Sequence, residues 1–216
     1  MRVIVFAKAP VPGAVKTRLV PALGAVGAAR LHERLVDRAL ETACAAALGP
    51  VELCCAPDRS HPFFAARAAR FGVVLTEQGE GDLGDRMHRA LAARLPAVLT
   101  GADCPAMTPE YLRQAAGALA AGYDAALGPA ADGGYVLVAA ARIDPAAFAR
   151  IRWGGADVME EQRARLRALG WRWRELPMLW DLDRPEDLAR VRDGIAGGAA
   201  LLSGLMPAGE DREKKR

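Results

Sequence analysis

Residues 3–19 read Val3-Ile4-Val5-Phe6-Ala7-Lys8-Ala9-Pro10-Val11-Pro12-Gly13-Ala14-Val15-Lys16-Thr17-Arg18-Leu19, and this stretch decides the fold. The first five residues are apolar without alternation, as in a strand buried on both faces inside a parallel sheet. The loop that follows is stiffened by Pro10 and Pro12, while Gly13 can adopt backbone angles that other residues avoid. Beyond Val20 and Pro21, Leu31, Leu35, Ala39 and Ala43 recur every fourth residue, with Arg30, Glu33, Arg34 and Arg38 off that stripe. This is the pattern of a long helix with one buried face.

Working outward, the same alternation repeats. Val51–Cys55 reads as a strand, 61–71 as a short helix and 73–75 as a short strand. Leu83, Met87, Leu91 and Leu95 mark a second amphipathic helix, and 97–100 a further buried strand. Thr108-Pro109-Glu110 combines a capping hydroxyl, a first-turn proline and an acid at the positive helix end. Strands are expected at 124–127 and 135–139, helices at 156–169 and 183–195, and a half-exposed edge strand at 171–176, where Trp and Arg alternate. Strands alternating with helices imply an α/β fold with a mostly parallel central sheet and helices on both faces. Ligands of such sheets sit beyond the carboxyl ends of the strands. The loops 7–18, 101–105 and 131–134 all follow strands, so they are expected to meet at one edge.

The chain has 216 residues, enough for one sizeable domain. We place that domain at 1–196, followed by a C-terminal extension, 197–216, whose charged end from Gly209 to Arg216 is expected to be disordered. Hydrophobic residues make up 52% and charged residues 25%, and 29 basic against 26 acidic side chains leave a net charge of +3. That balance argues against nucleic acid or a membrane surface as the main partner. No apolar run approaches the ~20 residues of a bilayer span, and the opening run is too short for a signal sequence, so a cytoplasmic protein is expected. Cys44, Cys54, Cys55 and Cys104 show no CxxC spacing and read as buried free thiols. His32, His61 and His88 have no zinc spacing, and the GxSxG, GxGxxG and Walker A patterns are absent.

Candidate chemistry lies in the loops. Lys8, Lys16 and Arg18 fall within eleven positions after a buried strand, a placement suited to phosphate oxygens, although a solvated basic turn has the same composition. Asp103 follows a buried strand in a loop fixed by Pro105. A hard divalent cation takes one or two such carboxylates, while an Asp bonded to its own turn would look the same. Asp181 and Asp183 are two apart, so in an extended segment both face one side; Asp183 also reads as the cap of the helix begun by Pro185 and Glu186. Asp132 could accept from a sugar hydroxyl, and Gly133 and Gly134 allow close backbone approach, as would a plain hairpin turn. Asp82 and Asp85 flank Leu83-Gly84 at a helix start, where charge complementarity and ligand binding both fit.

Together these motifs resemble a known group. FAKAPVPGAVKTRL (6–19), GDLGDRM (81–87), TGADCP (100–105), LGPAADGGY (127–135) and WDLDRPEDL (180–188) are similar in content and order to a bacterial GT-A-type glycosyltransferase-like family, the arsenosugar-biosynthesis type, of the nucleotide-diphospho-sugar transferase superfamily. The resemblance spans about residues 1–195. It implies a Rossmann-like GT-A sheet with a nucleotide in its crevice and Mg²⁺ or Mn²⁺ as cofactor. Lys16 and Arg18 would face the phosphates and act with Asp103 in catalysis; Asp103 and Asp183 would hold the metal. Lys8, Gly13, Asp82, Gly84, Asp132 and Gly133 would contact the nucleotide or substrate, with Asp132 on the sugar or acceptor side.

Two departures stand out. Gly101 replaces the first acid of the Asp-x-Asp found in typical GT-A glycosyltransferases, leaving Asp103 alone, an arrangement closer to guanylyltransferases. Trp153-Gly154-Gly155-Ala156 lacks the hydroxyl residues expected after the Trp. Three readings follow: a glycosyltransferase using a nucleotide sugar, a nucleotidyltransferase releasing pyrophosphate, and a nucleotide-binding module without turnover. The partners are a nucleotide-activated small molecule and an unidentified acceptor. A homo-oligomer stays open, with Trp171 and Trp173 suited to an interface or to edge-strand packing.

Overall fold

The computed structural model describes residues 1–205, and the expected disorder of Gly209–Arg216 lies outside them. Strands β1 (Arg2–Lys8), β2 (Val51–Ala56), β3 (Val74–Glu77), β4 (Ala97–Gly101), β5 (Ala125–Pro129), β6 (Tyr135–Ala140) and β7 (Trp173–Glu175) form one sheet ordered β3-β2-β1-β4-β6-β5-β7. All neighbours pair in parallel except β6, which runs antiparallel to both β4 and β5. Parallel strands share one carboxyl edge, and β5 points the same way because two reversals across β6 cancel. The ends of β1, β4 and β5 and the start of β6 therefore meet at one edge.

Helices α1 (Val20–Ala45), α2 (Pro62–Phe71) and α4 (Pro109–Ala120) cover one face, and α3 (Leu83–Ala92) and α5 (Val158–Ala168) the other. Val3, Val5 and Ala7 point into the first layer, while Ile4 and Phe6 point into the second, as the unbroken apolar run requires. Full burial of each of the larger ones, Val3, Ile4, Val5 and Phe6, contributes roughly 1.5–3 kcal/mol. Cys54 and Cys55 divide between the two layers in the same way. Cys44 departs from the expected burial: it is exposed, because its position falls off the Val36, Leu40, Ala43 stripe of α1.

A third apolar cluster joins α1 to α6 (Asp187–Gly194) and α7 (Gly198–Leu202) through Leu31, Trp180, Leu182, Val191 and Leu201. Part of the expected extension is thus packed against the body. The helix expected from Asp183 begins only at Asp187. Asp187, not Asp183, supplies the turn's acceptor: its Oδ2 accepts from the backbone N–H of Asp183 at 3.0 Å and of Arg184 at 2.8 Å. Asp183 is left free for other contacts. The preceding segment is stitched to the carboxyl edge by an Ala130–Leu179 bridge and by Leu182 N–H donating to the Asp103 carbonyl at 2.8 Å.

Candidate functional site

At the shared edge a crevice of about 670 Å³ opens, lined by residues of the β1, β4 and β5–β6 loops, α3, the start of α5 and the 181–183 segment. Lys8, Lys16, Arg18, Asp103, Asp132 and Asp183 all line it. Four stretches far apart in sequence are gathered because their strands end together.

Lys16 is held most tightly. Its backbone is left-handed, with φ 47°, a conformation that costs a non-glycine residue on the order of 1 kcal/mol. Its side chain is 3% exposed, and Nζ lies 2.7 Å from Asp103 Oδ1 and 4.0 Å from Asp183 Oδ1. The ammonium also donates to the Leu182 carbonyl at 2.5 Å. Arg18 pairs with Asp183 from the rim. The Asp103 side chain straddles the floor: Oδ1 is buried against the Lys16 ammonium, while the side chain as a whole is 48% exposed. Burial would raise its carboxyl, but Lys16, with His32 and Lys8 behind it, outweighs that and holds it below the ordinary carboxylate range.

Asp181 behaves oppositely. Burial, then the nearby charge of Asp103, with Asp132 and Asp183 adding to it, pushes its carboxyl up to about 7 against the opposing pull of Lys16. Like charges crowded in a partly dry site disfavour ionisation. His32 lies 3.0 Å by Nε2 from the Lys8 carbonyl; a carbonyl can only accept, so Nε2 carries the proton. Burial lowers its pKa more than Asp103 raises it.

The donor set fits a hard divalent cation. Its available ligands are carboxylate oxygens, those of Asp103, Asp181 and Asp183 line one crevice, and a cation there would offset the charge that Asp103 and Asp183 set against Asp181. Among the described residues no three His, Cys, Asp or Glu side chains are set around one point. Substrate phosphate oxygens and water would therefore complete the shell, as Mg²⁺ sites usually require.

The remaining sequence candidates lie outside the lining. Gly13 is exposed, and only its φ of +81° requires glycine. Asp82 closes a capping box with Asp85, each side chain accepting from the other's backbone N–H. Gly84 is buried, and an added Cβ would meet Phe148 O at 2.7 Å and the Trp153 ring at 2.8 Å. Gly133 has φ +92° and packs against Ala156, while its carbonyl accepts from Met159 N–H at 2.8 Å. Asp132 does line the crevice, with Oδ1 accepting from Gly134 N–H at 3.0 Å.

The crevice also contains residues not anticipated as ligand contacts: His32, Gln78, Arg86, Tyr135 and Trp153. His32, Arg86 and Tyr135 sit on regular elements, where periodicity reads as packing. Trp153 and its two glycines lie in the stretch singled out as lacking hydroxyls, and they line the wall with an aromatic ring instead.

Comparison with known proteins agrees with this architecture. Residues 39–155 match the family described as "Uncharacterized protein conserved in bacteria (DUF2064)". No curated protein matches the sequence. A crystal structure of a candidate nucleotide-diphospho-sugar transferase from Desulfovibrio desulfuricans G20 is 31% identical, with a TM-score of 0.81 over 93% of each chain. A nucleotidyl transferase from Methanothermobacter is 15% identical, with a TM-score of 0.56 over 89% of this chain and 96% of that one. Glucosyl-3-phosphoglycerate synthase from Mycobacterium tuberculosis, in complex with Mn²⁺, uridine diphosphate and glucosyl-3-phosphoglycerate, is 11% identical, with a TM-score of 0.52 over 97% of this chain and 82% of that one. The fold is the Rossmann-like GT-A α/β fold, which these transferases share.

Proposed function

The chain belongs to the DUF2064 family of proteins conserved in bacteria, and from that premise we propose that it is a transferase acting on a nucleotide-activated substrate with a divalent cation, Mg²⁺ or Mn²⁺. The observation that carries this reading is the single crevice in which Lys16 and Arg18 face Asp103 and Asp183. Lys16 and Arg18 grip the diphosphate, with Arg18 able to offer two parallel N–H donors. Asp103, kept ionised by Lys16, and Asp183 hold the cation. When bound, the cation supplies charge stabilisation to the departing diphosphate. Asp132 accepts from a hydroxyl of the sugar or acceptor.

Glycosyl transfer from a nucleotide-diphospho-sugar is the reading we favour, supported by the 31% identical relative and by the resemblance to the arsenosugar-biosynthesis type. Nucleotidyl transfer with loss of pyrophosphate is the second, favoured by Gly101 standing where the first acid of Asp-x-Asp would be. Labelled nucleotides separate the two: pyrophosphate released from a triphosphate excludes glycosyl transfer. Calorimetric titration with Mn²⁺ and a panel of nucleotides, on wild type and Asp103→Ala, tests the site. Unchanged cation affinity in the variant would refute the assignment of Asp103 and favour a binding module without turnover.

A further inference from the structure

The crevice has two cations, Lys8 and Arg86, that form no ion pair among the described residues, and only Arg86 carries a guanidinium fork. Lys16 sits between two carboxylates and Arg18 pairs with Asp183. Arg86 reaches the same crevice from α3, on the other face of the sheet. Its Nε donates to the Gly81 carbonyl at 3.0 Å, and that bond fixes the plane of the guanidinium. Both terminal nitrogens are left without a partner among the described residues. A guanidinium pinned at Nε presents its remaining donors as a fork, the geometry that binds phosphate or carboxylate through two parallel hydrogen bonds.

The surroundings are apolar on this side. Leu83, one turn before Arg86, is 42% exposed and lines the crevice, and Met87 follows it. Tyr135 and Trp153 stand edge to face with centroids 6.2 Å apart, and the Tyr135 hydroxyl already donates to Gln162 Oε1 at 3.2 Å, so what this pair offers a ligand is ring surface. Gly154 beside them has no atom within 4 Å of an added Cβ, which leaves room for a ligand along the ring. An unpaired arginine flanked by aromatic and aliphatic surface matches a ligand with an anionic head and an apolar or planar body.

We infer that the α3 side of the crevice is the acceptor subsite, and that the acceptor carries an oxyanion, phosphate or carboxylate, bound by Arg86 with its body against Trp153 and Leu83. This rests on the reading of the crevice as a transferase site whose diphosphate lies on the Lys16 side. It narrows the acceptor to an acidic small molecule.

The test uses pyrophosphate with Mg²⁺ as the probe of the Lys16 side, and phenyl phosphate, benzoate and benzyl alcohol as probes of the Arg86 side. Binding is read by calorimetry and ligand-observed NMR on wild type, Arg86→Gln, Arg86→Lys and Lys16→Gln. Wild type is expected to bind phenyl phosphate or benzoate at least ten-fold more tightly than benzyl alcohol. The better of the two names the head group. Arg86→Gln should weaken that anion at least ten-fold and leave pyrophosphate within two-fold; Arg86→Lys, which keeps the charge without the fork, should fall between. Lys16→Gln should do the reverse. Equal losses of pyrophosphate and aryl anion in Arg86→Gln would assign Arg86 to the donor and overturn the inference, as would failure of wild type to prefer the anions. If wild type binds the aryl anion through Arg86 but not pyrophosphate, the anion subsite stands and the diphosphate reading of the Lys16 side falls.

Discussion

Lys16 Nζ and Asp103 Oδ1 are 2.7 Å apart at the floor of the crevice, with Asp183 Oδ1 4.0 Å from the same ammonium. One protein cation thus stands among the carboxylates assigned to a metal.

Lys16→Met is therefore expected to bind Mn²⁺ more tightly than wild type when no nucleotide is present, by about ten-fold, because a competing charge is removed from between its ligands. The same variant should lose at least about ten-fold in affinity for nucleoside diphosphates, since a charge-assisted bond to phosphate is gone. Titration calorimetry reads both. A gain in nucleotide affinity would contradict the assignment.

Asp181 sets a pH dependence. Its folded pKa of about 7 lies above the ordinary carboxylate value, so between these limits the folded protein binds more protons than the unfolded chain. Stability then falls as pH rises from about 4 to about 7, by an amount on the order of 1–3 kcal/mol. Thermal melts between pH 5 and pH 8 should show this decline in wild type and a flatter profile in Asp181→Asn. Mn²⁺ should stabilise wild type more at pH 8 than at pH 5.

Gly84→Ala should destabilise the fold by about 1–3 kcal/mol, the usual cost of overpacking. The new methyl would press on the Phe148 carbonyl and the Trp153 ring. A lower melting temperature together with altered tryptophan fluorescence would report both effects; an unchanged melting temperature would mean that the wall yields freely.

Asp187→Ala removes the acceptor that holds the Asp183 and Arg184 N–H groups. We expect a loss of about 1 kcal/mol in stability and a several-fold weaker Mn²⁺ affinity, because Asp183 is no longer fixed. Chemical denaturation and calorimetry measure the two separately, and loss of stability with intact cation affinity would remove Asp187 from the site's support.

The strands and most helices were legible because the apolar run of β1 and the four-residue stripes of α1 and α3 are local patterns of burial. The convergence of the Lys16, Asp103 and Asp132 loops was legible too, since loops that follow strands share an edge, whereas Asp183 joined them only as a remaining acidic pair and through the family resemblance. That Asp187 rather than Asp183 would supply the turn's acceptor was not legible, because an acid four residues on offers the same chemistry. Arg86, His32 and Trp153 were missed as contacts for a related reason. Nothing in a single helix or loop records which crevice it will border once the sheet is assembled.

β6 begins at the crevice and descends, so Ala140 ends beside Ala97 at the opposite margin. The chain must then climb back through residues 141–152 before Trp153 can stand at the mouth. That climb belongs to no strand and lies apart from the Lys16 and Asp103 loops. Relatives could lengthen or shorten it and so refit the aromatic wall to a different guest while the sheet and its charged floor stay as they are.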